Sequence, residues 1–120
     1  MDPRHMLQTA VVLFAIAALG GVVMAGIRFA GRRNPPTSLA MVHGLLGGAG
    51  LTLVLYAACT AGVPSTALLG VALLLVAALG GILLNLNYQW KQRPLPGGVV
   101  VGHALLAVVG FSLMCVAAFA

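Results

Sequence analysis

Hydrophobic positions in this chain do not alternate with polar ones; they run together in four long blocks. These span approximately Leu7 to Ile27, Ser38 to Ala61, Ser65 to Leu86 and Gly98 to Ala120. Each comes close to the ~20 residues that carry a helix across the hydrocarbon of a bilayer. Between the blocks lie short connections rich in helix breakers: Gly31 through Pro36, Gly62 to Pro64 and Pro94 through Gly98, with Ser38 and Ser65 placed as caps. Connections this short make neighbouring helices antiparallel. The pattern therefore predicts an all-α fold, a four-helix transmembrane bundle running up-down-up-down, as a single domain over residues 1–120.

Composition makes the bilayer the solvent. Of 120 residues, 62% are hydrophobic and 6% charged, more apolar surface than a water-soluble domain of this size could cover. The net charge of +5 comes from a few cations at the ends of the blocks, not from a basic face that could track phosphates, so nucleic acid is not an expected partner. Arg28, Arg32 and Arg33 flank the first connection and Lys91 and Arg93 the third, whereas the second connection and the C-terminus carry no cation. By the excess of Lys and Arg in cytoplasmic loops, connections one and three face the cytoplasm and both termini the other side, as in a bacterial inner membrane. The stronger basic cluster follows the first block, so that block reads as a retained helix and not a cleaved signal. Tyr88 and Trp90, beside Lys91, suit the interface on that side. Cys59 and Cys115 stand in different apolar blocks and match neither a disulfide framework nor a zinc spacing; they read as packing residues.

Sliding the chain against itself by sixty places superposes residues 1–60 on 61–120 without a gap, and sixteen of sixty positions are identical. Many are apolar matches that any membrane sequence would give. The informative ones pair Gly20 with Gly80, Gly21 with Gly81, Arg33 with Arg93, Pro36 with Pro96, His43 with His103 and Gly50 with Gly110. Two tandem two-helix repeats enter the membrane in the same orientation, which predicts a pseudo-twofold axis along the membrane normal. His43 and His103 each stand about five residues into their helices, several Å below the surface at ~1.5 Å per residue. Helices 2 and 4 are diagonal in such a bundle, so the two imidazoles can face each other across the axis.

An ionisable ring in hydrocarbon needs a partner. One histidine is often just a hydrogen bond between helices, but two at one depth, related by symmetry, leave a gap that a shared ligand would fill. Haem suits such a gap, because its iron takes an axial nitrogen from each side while the porphyrin lies among apolar side chains. The residues one and two turns past the histidines are small: Gly47 and Gly50 on helix 2, Ala107 and Gly110 on helix 4. They are the expected walls of a slot. Small residues also let helices pack closely, as Gly44-x-x-x-Gly48 and Gly98-x-x-x-Gly102 would. Arg28, with Tyr88 at its repeat-equivalent position and Asn85 one turn deeper, is the expected partner for haem propionates.

With these histidines and the small residues after them, the chain resembles small bacterial membrane b-type cytochromes, in which histidines on transmembrane helices clamp haem inside a four-helix bundle. That resemblance implies one haem b, electron transfer, and a quinone or another redox protein as partner. Two-haem members of that class carry further histidines toward the opposite surface; the corresponding positions here are Tyr56 and Ala57, and Val116 and Ala117. The departure implies a single haem. The alternative is a non-catalytic accessory subunit of a larger respiratory membrane complex, which needs no cofactor. Small multidrug exporters match in size but depend on an intramembrane carboxylate, and the sole acidic residue here is Asp2. Copper or zinc at the histidine pair would have an incomplete ligand shell, with Met41 the nearest soft donor in sequence. One acidic residue leaves few candidates for general acid and base catalysis, so hydrolysis is not expected. His5, in the N-terminal tail, reads as a surface histidine.

Overall fold

A computed structural model describes residues 2–120. It is all-helical among those residues: α1 (Pro3–Phe29), α2 (Thr37–Thr60), α3 (Ser65–Leu84), which continues into a π-helical turn (Asn85–Gln89), and α4 (Gly97–Phe119). All four helices are long and apolar enough to cross a membrane, and the molecule measures 43 × 19 × 19 Å. Helix α1 begins four residues before the apolar block, at Pro3, because Asp2 accepts a hydrogen bond from the Arg4 amide and proline suits the first helical turn. Ser38 and Ser65 do not cap. Pro36 and Pro64 occupy the N-cap positions, and both helices start without a side-chain cap.

α1 packs on α2 and α4, and α3 packs on α4 and α2, which leaves α2 and α4 facing each other across the bundle. Close contacts pair Gly50 with Phe14 and His43 with Gly21 between α1 and α2, and Gly110 with Gly70 and His103 with Gly81 between α3 and α4. Two side chains tie α1 at its opposite ends, one to α4 and one to the connection that precedes it. Gln8 donates to the Ala118 carbonyl at 3.3 Å, and Arg28 donates through Nε to the Leu95 carbonyl at 2.7 Å.

The buried core comes in two pieces. The larger, near the chain termini, gathers Leu7, Phe14, Val54, Val71, Leu74 and Met114 with their small neighbours. A smaller one gathers Leu84, Leu95 and Val100 at the arginine-bearing end. Large side chains such as Leu19, Val22, Leu45, Leu79 and Leu105 point outward, as they do where lipid is the solvent. Three hydroxyls on these outer faces fold back onto their own helices: Thr52, Thr60 and Ser112 each donate to the carbonyl four residues earlier, at 2.7–2.8 Å, so these three are not left bare in an apolar medium.

Glycine has two uses here. At Gly110 an added Cβ would lie 2.8 Å from Leu74 Cγ and 3.0 Å from the Gly70 carbonyl oxygen, so α3 and α4 touch backbone to side chain. At Gly44, Gly48, Gly98 and Gly102 an added Cβ would meet nothing within 4 Å, so neither G-x-x-x-G spacing joins helices within this chain. Gly110→Ala should therefore lower stability by about 1–3 kcal/mol through overpacking, while Gly48→Ala should leave it unchanged or slightly raised; reversible unfolding in mixed detergent, followed by helical circular dichroism, measures both.

The arginine-bearing end is closed by loops that lock together. Asn34 donates to the Arg93 carbonyl at 2.8 Å and accepts from the Leu95 amide at 3.1 Å. Gln89 donates to the Pro35 carbonyl at 2.7 Å. Arg32 (φ 53°) and Gln92 (φ 52°), sixty residues apart, both turn through the left-handed region, which costs a non-glycine residue roughly 1–2 kcal/mol. Gln92→Gly should raise stability by about 1 kcal/mol in the same unfolding measurement.

Candidate functional site

Where the two core clusters part, the interior is polar. His43 on α2 and His103 on α4 are half-buried, with ring centres 6.1 Å apart and ring planes inclined at 69°. Each ring is held from behind by the preceding helix. His43 Nδ1 lies 2.7 Å from the Ala17 carbonyl oxygen of α1, and His103 Nδ1 lies 2.6 Å from the Ala77 carbonyl oxygen of α3. A carbonyl only accepts, so in both rings Nδ1 carries the hydrogen. In the neutral ring, Nε2 then keeps its lone pair and is the nitrogen able to bind a metal or accept a proton.

The local sequence explains why these carbonyls are available. A helical carbonyl already accepts from the amide four residues on, and the side chain at that residue normally crowds its second lone pair. Here that residue is Gly21 for Ala17 and Gly81 for Ala77. An added Cβ would lie 3.3 Å from His43 Cε1 at Gly21 and 3.1 Å from His103 Cε1 at Gly81. The absence of a side chain lets the imidazole edge reach the backbone. Ala17 through Gly21 and Ala77 through Gly81 are the same pentapeptide, Ala-Ala-Leu-Gly-Gly. The glycines stand out in the sequence as repeat matches, but neither their role nor that of Ala17 and Ala77 is visible there, because alanine identity between apolar helices carries little weight and a backbone acceptor has no side-chain signature.

The expected walls divide. Gly47, one turn past His43, is open: an added Cβ would meet nothing within 4 Å. Ala107, its counterpart past His103, is half-buried. Gly50 and Gly110, however, do not border a slot. The Phe14 ring fills the space over Gly50, with Cε1 2.6 Å from where a Cβ would stand, and Leu74 and the Gly70 backbone fill the space over Gly110. They close the bundle two turns past the histidines.

The three residues expected near propionates are also separated. Arg28 is pinned through Nε to the Leu95 carbonyl and lines a cleft at the arginine-bearing end. Tyr88 packs against the smaller core cluster, with the Arg93 guanidinium 5.0 Å from its ring centre. Asn85 opens the π-helical turn with its Oδ1 buried and unpartnered. Met41 lies on an outer face, 42% exposed, and among the described residues no three His, Cys, Asp or Glu side chains come together. The donor set at this layer is two imidazole nitrogens, too few to complete the shell of a zinc or copper ion. No family model, curated protein or solved structure matches the chain.

The carbonyl-bound tautomer can be tested directly. Solid-state or solution NMR of ring-¹⁵N-labelled protein should show the hydrogen on Nδ1, hydrogen-bonded, in both histidines. Gly21→Val should disturb the His43 signals alone and Gly81→Val those of His103 alone. Nε2-protonated rings in the wild type would contradict this geometry.

Proposed function

We propose that the protein holds one haem b between His43 and His103 and serves in electron transfer within the membrane. The observation that carries this reading is the pair of rings at 6.1 Å, each turned by a backbone carbonyl so that Nε2 is its basic nitrogen. Imidazole nitrogen binds first-row metals at about 2.0–2.1 Å, and with about 1.1 Å from that nitrogen to the ring centre, two axial ligands would separate their centres by roughly 6 Å. A carbonyl acceptor behind each ring is also the usual outer support of a metal-bound histidine, since it sets the tautomer and makes the ligating nitrogen more basic.

His43 and His103 would supply the axial nitrogens, and the open side at Gly47 and the small Ala107 would admit the macrocycle. Arg28, at the same end of the bundle, would offset a propionate charge. When bound, haem supplies a one-electron couple, and with both axial positions taken it is suited to passing electrons rather than binding oxygen. The chain's own contribution is orientation and a dry, low-dielectric setting, in which Ala17 and Ala77 keep each ring from rotating. A quinone, dissolved in the same hydrocarbon, or a neighbouring redox protein would exchange electrons with it. By the distribution of Arg and Lys, the arginine-bearing end lies on the cytoplasmic side of a bacterial inner membrane.

The test is an absorption spectrum of detergent-purified protein from haem-supplied cells, oxidised and then reduced with dithionite. Wild type should give sharp reduced bands of a six-coordinate b-type haem. His43→Ala and His103→Ala should each lose the haem or turn it high-spin. A colourless wild type that also fails to take up added haem would overturn the reading in favour of an accessory subunit, with the histidines serving to join α1 to α2 and α3 to α4.

A further inference from the structure

A cleft of about 500 Å³ opens at the arginine-bearing end, between the connections that precede α2 and α4. Arg28, Arg32 and Arg33 line it together with Asn34, Thr37 and Gln89. No acidic residue is near: the only one in the chain is Asp2, at the opposite end of α1. We propose that this cleft binds a phosphate group, with the three arginines taking its charge and Gln89 accepting a hydrogen bond from a hydroxyl on the phosphorus or beside it.

Three observations carry this. First, part of the wall is built in advance. Arg28 is fixed by the Leu95 carbonyl, Asn34 by the Arg93 carbonyl and the Leu95 amide, and Gln89 by the Pro35 carbonyl, while Arg32 and Arg33 are exposed at the rim and free to close on a ligand. Second, Gln89 is only 8% exposed and its Oε1 has no partner. The π-helical turn sets it in the wall of the cleft, with Nε2 committed to the Pro35 carbonyl and Oε1 buried beside it. A buried acceptor without a donor is costly, and a ligand bearing both an anion and a hydroxyl satisfies the arginines and the amide at once. Third, membrane topology requires positive charge on one side but not convergence. Lys91 meets the topological need from outside the cleft, and Arg93 is engaged with Tyr88 and the Asn87 carbonyl, whereas Arg28 at the end of α1 and Arg32 and Arg33 in the connection after it share one concavity.

Guanidinium groups match phosphate oxygens in geometry as well as charge, and basic recesses between membrane helices at the interface are where anionic headgroups settle. The ligand chemistry is common to two sources: a glycerol-bearing phospholipid headgroup reaching in from the leaflet, and free hydrogen phosphate from the water. The site does not depend on the haem reading, but Arg28 is shared with the proposed propionate edge, so the measurement is made on haem-free full-length protein.

Isothermal titration in a neutral detergent would use inorganic phosphate, dihexanoyl phosphatidylglycerol and dihexanoyl phosphatidylcholine as probes, on wild type, Arg32→Gln, Arg33→Gln, Arg32→Lys and Lys91→Gln. Saturable binding of phosphate or of the phosphatidylglycerol, weakened about tenfold by each Gln variant, less by Arg32→Lys and under twofold by Lys91→Gln, is the expected result. Tighter binding of phosphatidylglycerol than of both other probes identifies the lipid source; inorganic phosphate as tight or tighter identifies the soluble one. No saturable binding to the wild type, or an equal loss in Lys91→Gln, overturns the proposal. Arg32→Lys keeps the charge, so it separates loss of the site from loss of the fold.

Discussion

Each half of this protein is organised around one hydrogen bond from an imidazole Nδ1–H to a backbone carbonyl of the preceding helix, His43 to Ala17 and His103 to Ala77. In hydrocarbon, apolar packing against a neighbouring helix gains little over packing against lipid, so polar contacts and close backbone approach have to hold the helices together. The bond provides both, since it can form only where a glycine lets the ring reach the backbone. Its recurrence at a spacing of sixty residues sets the two rings at one level of the bundle, with α1 behind one and α3 behind the other.

The discontinuous core follows from that arrangement. A continuous apolar interior would leave no room for two rings, and the chain places Gly21 beside the first and Gly80 and Gly81 beside the second. Below the rings, Phe14 over Gly50 and Leu74 over Gly110 close the interior. Above them, a small apolar cluster of Leu84, Leu95 and Val100 and the side-chain-to-backbone hydrogen bonds of the loops close it together. The two ends of the molecule are therefore sealed in different proportions: the terminal end mainly by packing, and the arginine-bearing end by a smaller core with a polar lock over it, beside which a cationic cleft stays open to the outside.

The two histidines were legible because a titratable group in an apolar block is conspicuous and its repetition at fixed spacing is hard to obtain by composition alone. Their small neighbours were less so. Helical spacing puts Gly47 and Gly50 on the same face as His43, but a glycine marks absence of a side chain without saying what enters the space. At Gly50 the entrant is Phe14, from a helix whose angular setting no local pattern specifies. Arg28, Asn85 and Tyr88 stand at similar depth, but each is engaged differently: Arg28 binds the Leu95 carbonyl, Tyr88 packs on the smaller core cluster, and Asn85 opens the π-helical turn with its Oδ1 buried. That turn also makes Gln89 a buried polar residue, although its sequence position suggests an interfacial one.

The amino-acid sequence by itself determined the helices, because twenty apolar residues in lipid have no other way to satisfy their amides and carbonyls. It also determined the level of the histidines, since helical rise converts residue number into depth. Which carbonyl each ring would bind, which glycines would be filled and which left open, and how three arginines and a glutamine would converge on one cleft were decided only by the tertiary structure. The reason is that these depend on the rotation of each helix about its own axis and on its approach to the next, and contacts between residues distant in sequence set both.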